Sequence, residues 1–308
     1  MAETQISEQQ SPRSCYLKQW MGLLFFIFSL MIFIWLNHDM PRLALFWIFG
    51  LVFGLVLQRS RFCFVSAFSN YVLFRDARLI KGMLVGLAIA TLGFAAIMYR
   101  MVPDPSTGII PLNAYVSPLG WHLVLAGLLF GLGMMLAGGC IMGNLYRLGE
   151  GSLSAVVALT GVIIGLGLLQ YSWPLWWQDY ILKSPQIWLP ASLGWLWSIV
   201  LTLAVISILF WIVHHYEKHE SKSSLNPHQT DIKTGKLFRW LSFTRLKSIF
   251  VTPWPLFCGG VILSVINILE YFILDRPWGI TGEIIRWTEI IFNAINLPLP
   301  GTVSVPGT

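Results

Sequence analysis

The sequence predicts an all-α membrane protein of several spans, two of whose helices break at a cysteine. Three observations carry this. Apolar residues make up 56% of the 308 positions and charged residues only 11%, too little charge to cover a soluble domain of that size. The apolar residues fall in seven uncharged blocks, at 21–36, 43–57, 82–99, 123–140, 152–177, 191–213 and 251–268, each close to the length a bilayer requires. Lysine and arginine gather in alternate connections, as membrane topology demands.

Residues 1–20 read as a polar tail that holds Cys15, Arg13 and Lys18. The first block is longer than a signal-peptide core and no small-x-small cleavage site follows it, so it is expected to be a retained span. Arg59, Arg61, Arg75, Arg78 and Lys81 lie between the second and third blocks, Arg147 follows the fourth, and seven basic residues lie within 214–250. The other connections hold Arg42, Arg100 and Lys183. This asymmetry predicts a cytoplasmic N-terminus. It also accounts for the net charge of +6. With no basic stripe interleaved with aromatics, nucleic acid is not an expected partner; the lipid bilayer is.

The second block ends unusually, in LVLQRSRFCFVSAFSNYVLFRD. Residues 62–74 are apolar again after Arg59 and Arg61, but thirteen helical residues span only about 20 Å. Flanked by arginines at both ends, they are expected to form a re-entrant helix that returns to the side it entered from, the alternative being a short interfacial helix lying flat. The fourth block breaks in LLFGLGMMLAGGCIMGNLYRLGEG, where Gly138, Gly139 and Gly143 surround Cys140. The two breaks echo each other. Phe53-Gly54-Leu55 falls on Phe130-Gly131-Leu132 when Cys63 is set over Cys140, and paired broken helices point to a transporter's site.

Residues 214–250 read as a cytoplasmic linker between a first membrane unit, 21–213, and the start of a second, 251–308. Within the linker, 237–250 has the pattern of a basic amphipathic helix. In the second unit, Ile284, Ile285, Ile291, Ala294 and Ile295 share one helical face, with Glu283, Arg286, Glu289 and Asn293 largely elsewhere. That pattern predicts an interfacial helix.

The breaks offer a specific chemistry. Glycines let a backbone turn and approach a substrate closely. A restarting helix presents unpaired N–H groups and partial positive charge to an anion, and a thiol placed there is expected to be acidified and soft. Arg59, Arg61 and Arg147 add positive potential at the mouth. The plainer readings are close helix packing for the glycines, topology for the arginines, and a Glu150–Arg147 pair at helical spacing. No CxxC pair and no His-rich spacing is present, so neither a metal nor another cofactor is expected, and the chain is not expected to be an enzyme.

GLVLQRSRFCFVSAF resembles the arginine-rich Phe-Cys element of the YeeE/YedE sulfur-transport family. LLFGLGMMLAGGCIMGNLYRLGEG resembles that family's Gly-Gly-Cys element, through Gly143, Tyr146, Arg147, Gly149, Glu150 and Gly151, and RPWGITGE resembles the opening of its second half. The resemblance implies a permease for thiosulfate or a related small sulfur anion, passed between Cys63 and Cys140 by transient S–H···S contacts. Cys258 matches no element of the family and reads as helix packing. The family's second half runs on to a further Gly-Cys element, whereas this sequence closes on LPLPGTVSVPGT. The expectation is therefore a chain lacking that end, through truncation, a frameshift that replaced the tail, or a pathway completed by two chains. Rival readings are a selenium-metabolism transporter, a membrane thiol oxidoreductase, and a subunit docking a cytoplasmic sulfurtransferase through 214–250.

Overall fold

The computed structural model describes residues 12–107, 110–111, 114, 116–220, 254 and 256–295. The first half of the expected N-terminal tail, the linker beyond Glu220 with its amphipathic stretch, and the terminal LPLPGTVSVPGT lie outside the described residues. Every α-helix or strand among the described residues is a helix. The helices are α1 (Pro12–Asp39), α2 (Pro41–Ser60), α3 (Phe64–Phe74), α4 (Arg78–Met101) and α5 (Trp121–Leu136). They continue with α6 (Ile141–Gly149), α7 (Leu153–Trp176), α8 (Leu189–Glu220), α9 (Leu256–Leu274) and α10 (Ile280–Ala294).

Six segments are long and apolar enough to cross a membrane: Pro41–Phe74, Arg78–Met101, Trp121–Gly149, Leu153–Ile181, Leu189–Glu217 and Phe257–Leu274. The first of the seven expected blocks lies in α1, whose apolar part Leu24–Asp39 is shorter. Exposed large side chains, such as Leu136 at 90% and Leu153 at 82%, run along these helices, as they must where the solvent is hydrocarbon.

The chain divides into two compact units, Met1–Val52 and Phe53–Thr308. In the first, Trp47 Nε1 donates to Ser29 Oγ at 3.1 Å, joining α2 to α1. In the second, α4 packs on α9 through glycines. A Cβ built on Gly86 would lie 2.6 Å from the Gly260 carbonyl oxygen, and one on Gly260 would strike the Gly82 carbonyl. Gly93 receives the Ile268 side chain and Gly259 the side chain of Ser60. Burial gives no net reward in lipid, so close contact between glycine-lined backbones is what holds such helices together. The FCGGVIL context of half-buried Cys258 is explained by this packing, as expected.

The α4–α8 pair fixes the two ends of this unit. At one end Lys81 is ion-paired with Glu217 and lies 3.0 Å from His214 Nδ1. At the other, Trp195 Nε1 donates to the Val102 carbonyl at 3.0 Å and Trp195 meets Tyr99 and Trp188 edge-on. Trp121, Trp176 and Tyr180 pack together where α5 begins and α7 ends. Basic residues at one end and an aromatic girdle at the other follow the interfacial preferences of these side chains. Residues 214–220 of the expected linker belong to the last turns of α8, a helix interrupted at Gly194 with φ +76°.

α10 departs from the expected interfacial face. Its buried residues are Ile284 and Thr288, while Ile291 and Ile295 are exposed. The reason is that α10 packs on α7. Phe292 fills the space left by Gly167, and Gln170 Nε2 donates to Glu289 Oε1 at 3.0 Å. The contact stripe therefore follows 284–288–292 and carries Glu289 inward.

Candidate functional site

The α2–α3 break is built by two residues. Ser60, the last residue of α2, donates from Oγ to the Val56 carbonyl at 2.7 Å, and Arg61 then turns the chain in a left-handed conformation with φ +47°. Cys63 follows in extended geometry as the N-cap of α3. The α5–α6 break uses Gly138 at φ +63°, a conformation that glycine adopts without strain, and then Cys140 as N-cap of α6. Cys140 Sγ accepts the Gly143 N–H at 3.3 Å, so the thiol takes the place of the usual capping oxygen.

The two N-caps meet. Cys63 Sγ lies 3.7 Å from Cys140 Sγ, with Cys63 wholly buried and Cys140 5% exposed. Gly143 makes the approach possible, since a Cβ there would lie 2.8 Å from Cys63 Sγ and 3.6 Å from Cys140 Sγ. Helices α3 and α6 both begin at this pair, and neither has an acidic residue in its first turn. Two uncompensated positive helix ends thus converge on two polarisable sulfurs. The two cysteines meet, as their echoing helix breaks predict, and the thiol pair comes from tertiary contact with no CxxC in the sequence.

The same helices, a turn or more further along, line a cavity of about 370 Å³ with Arg61, Ser66, Asn70, Leu79, Tyr146, Arg147 and Glu150. Of the expected residues, Arg61, Tyr146, Arg147 and Glu150 therefore share one space, while Cys63, Cys140, Gly138, Gly139 and Gly143 form the breaks beside it. Arg59 is not among the lining residues; its carbonyl accepts the Trp254 N–H at 3.2 Å. The Glu150–Arg147 pair does not form among the described residues. Instead Arg147 Nη1 donates to the Gly138 carbonyl at 2.7 Å, because the broken end of α5 leaves carbonyls that a nearby cation satisfies.

Sequence reasoning missed Ser66, Asn70 and Asn144. Asn144 is 2% exposed, donates from Nδ2 to the Gly139 carbonyl at 3.2 Å, and leaves Oδ1 without a partner among the described residues. Its signal was present: an amide three residues before Arg147 in an apolar stretch has to face protein or a polar path.

A family model described as sulphur transport matches residues 59–304. The chain is 39% identical to the thiosulfate transporter TsuA of Spirochaeta thermophila over 141 residues, 44% of this chain and 39% of that protein. It is 31% identical to the probable transporter YedE of Salmonella typhimurium over 164 residues, 53% of this chain and 38% of that protein. With the thiosulfate transporter TsuA of Escherichia coli it shares 28% identity over 259 residues, 75% of this chain and 68% of that protein. The match thus spans under two fifths of the Spirochaeta and Salmonella proteins' own lengths.

Proposed function

The chain belongs to the sulphur-transport (YeeE/YedE) family, and from that premise we propose that it forms a cysteine-lined pathway for inward permeation of thiosulfate. One observation carries the reading: two buried thiols 3.7 Å apart cap two helices whose positive ends meet there, beside a cavity lined by Arg61 and Arg147. Thiosulfate pairs oxyanion oxygens with a soft terminal sulfur. N–H groups and guanidinium suit the oxygens, and the thiols suit the sulfur.

In this reading the anion reaches Cys63 and Cys140, exchanges S–H···S contacts between them, and leaves through the cavity. Ser66, Asn70 and Tyr146 offer it hydrogen bonds there, and Glu150 opposes its return. The arginine end faces the cytoplasm of a bacterial inner membrane, α3 is re-entrant, and the cavity delivers to a cytoplasmic sulfurtransferase. Residues 1–20 and 214–250 are then both cytoplasmic, and 214–250 links the two membrane units.

Sulfur-35 thiosulfate uptake into proteoliposomes tests the assignment. Uptake is expected to be competed by unlabelled thiosulfate and not by sulfate, which lacks the soft sulfur. Equal competition by sulfate, or no uptake above empty vesicles, refutes it. The 3.7 Å thiol separation also favours a second reading, a thiol oxidoreductase. Exchange requires a partner thiolate to reach one sulfur, and both are buried. Mixed-disulfide formation with a small disulfide, whose other half leaves as the thiolate, at a rate matching free cysteine would favour that reading over permeation.

A further inference from the structure

We propose that Glu270 is a proton-binding site that couples anion movement to the proton gradient through the Arg276–Gly279 turn. The inference deepens the permease reading and rests on it. Glu270 lies in the span Phe257–Leu274, is 4% exposed, and leaves Oε2 without a hydrogen-bond partner among the described residues. An ionised carboxylate without a partner is strongly disfavoured at such a place. A protonated one is tolerated, and an ionisable residue inside a span marks a proton or ion route by default.

The nearest cation along the chain is Arg276, in the turn just past the end of α9. Arg276 lies 3.8 Å from Glu283 Oε1, which Arg286 also approaches at 3.5 Å. On α9 itself the neighbouring titratable groups are Tyr271, fully buried with an unpartnered hydroxyl, and Asp275 at the helix end. From α4, packed against α9, the titratable residues of the adjoining half are Tyr99 and Arg100, and the Tyr99 ring is engaged edge-on with Trp195. Arg276 thus sits against Glu283 and only six residues beyond the buried Glu270.

The turn that carries Arg276 is tied to α2, the helix that leads into the Cys63 break. Trp278 N–H donates to Asn267 Oδ1 at 3.0 Å, and the Trp278 ring stacks on Phe53 at 4.1 Å with 5° between planes. Phe53 lies on α2, ten residues before Cys63. With Glu270 protonated, Arg276 stays with Glu283 and the stack is undisturbed. With Glu270 ionised, Arg276 is drawn toward the buried carboxylate, moving Trp278 against Phe53 and hence the end of α2. One proton binds Glu270 from the outer side and is released to the inner side per cycle, so that it offsets one charge of the incoming dianion. Only the O–H bond forms and breaks.

Two measurements on the full chain test this. The first is the ratio of sulfur-35 thiosulfate accumulation with and without an inward proton gradient in proteoliposomes. One pH unit is worth about a tenfold ratio per coupled proton, and Glu270→Gln is expected to reduce that ratio to one. The ratio is independent of how much protein inserts. The second is the infrared carbonyl stretch of a protonated carboxylic acid, expected in the wild type, absent in Glu270→Gln, and shifted when thiosulfate is added. A gradient ratio unchanged in Glu270→Gln, or a wild type with no Glu270 acid band at neutral pH, overturns the proposal. If the wild type shows no uptake at all, the permease reading fails, and the infrared band still decides whether Glu270 holds a proton.

Discussion

At the scale of single residues, Gly143 shows how little room the site has. The hydrogen in place of its side chain is what lets Cys63 Sγ lie against the first turn of α6, since a Cβ would sit 2.8 Å away. Gly143→Ala is therefore expected to part the thiols and cut thiosulfate uptake at least tenfold, roughly the effect of a 1.4 kcal/mol loss. The check is uptake alongside the yield of an induced Cys63–Cys140 cross-link, and both should fall together. Cys140→Ser separates hydrogen bonding from sulfur chemistry, because serine keeps a donor but lacks the soft, acidic thiol. Serine is expected to fail nearly as completely as alanine with membrane insertion intact. Full uptake by the serine variant would show that only a donor is needed. At Gly138 the constraint is backbone: its φ of +63° makes Gly138→Ala cost roughly 1–2 kcal/mol, concentrated at the carbonyl that Arg147 caps.

Among elements, the α4–α9 pair is the clearest case of glycine-directed packing. Gly86→Val would drive a branched side chain into the Gly260 carbonyl, 2.6 Å from where its Cβ begins. Overpacking of this kind costs about 1–3 kcal/mol, and the backbone oxygen cannot swing aside as a side chain would. The expected result is a lower thermal midpoint in detergent, while Gly54→Val, where nothing lies within 4 Å of the added Cβ, leaves it unchanged. Equal midpoints would show that the helices separate freely. The repeat is also unequal at this scale. Phe53 is buried against Trp278, whereas its echo Phe130 is 54% exposed, so α5 does not reproduce the contacts of α2.

For the whole molecule, the charge asymmetry yields a topology that can be measured. Cysteine placed at Ser11 or at Ser223 is expected to resist an impermeant maleimide in intact cells and to react in inverted vesicles. Labelling of either from outside overturns the orientation. A second measurement addresses completeness. If two chains together complete one pathway, uptake per vesicle should rise more steeply than linearly with protein density. A linear rise would place the whole pathway within one chain.

The composition and block lengths alone determined an all-helical membrane protein, because bilayer thickness and obligatory backbone hydrogen bonding leave so few alternatives. The two helix breaks were equally legible, since Gly-Gly-Cys and Arg-x-Arg-Phe-Cys interrupt apolar runs locally. What the sequence could not fix was which elements meet. The echoing breaks pointed Cys63 and Cys140 to one site but not to a direct 3.7 Å contact, Arg147 had a local partner in Glu150 but takes the Gly138 carbonyl, and α10 turned out to be packed on α7. Helical periodicity records which side of a helix is apolar. In a membrane nearly every side is, so the partner is chosen by small residues and by unsatisfied polar groups finding one another, and only the tertiary structure shows which pairs did.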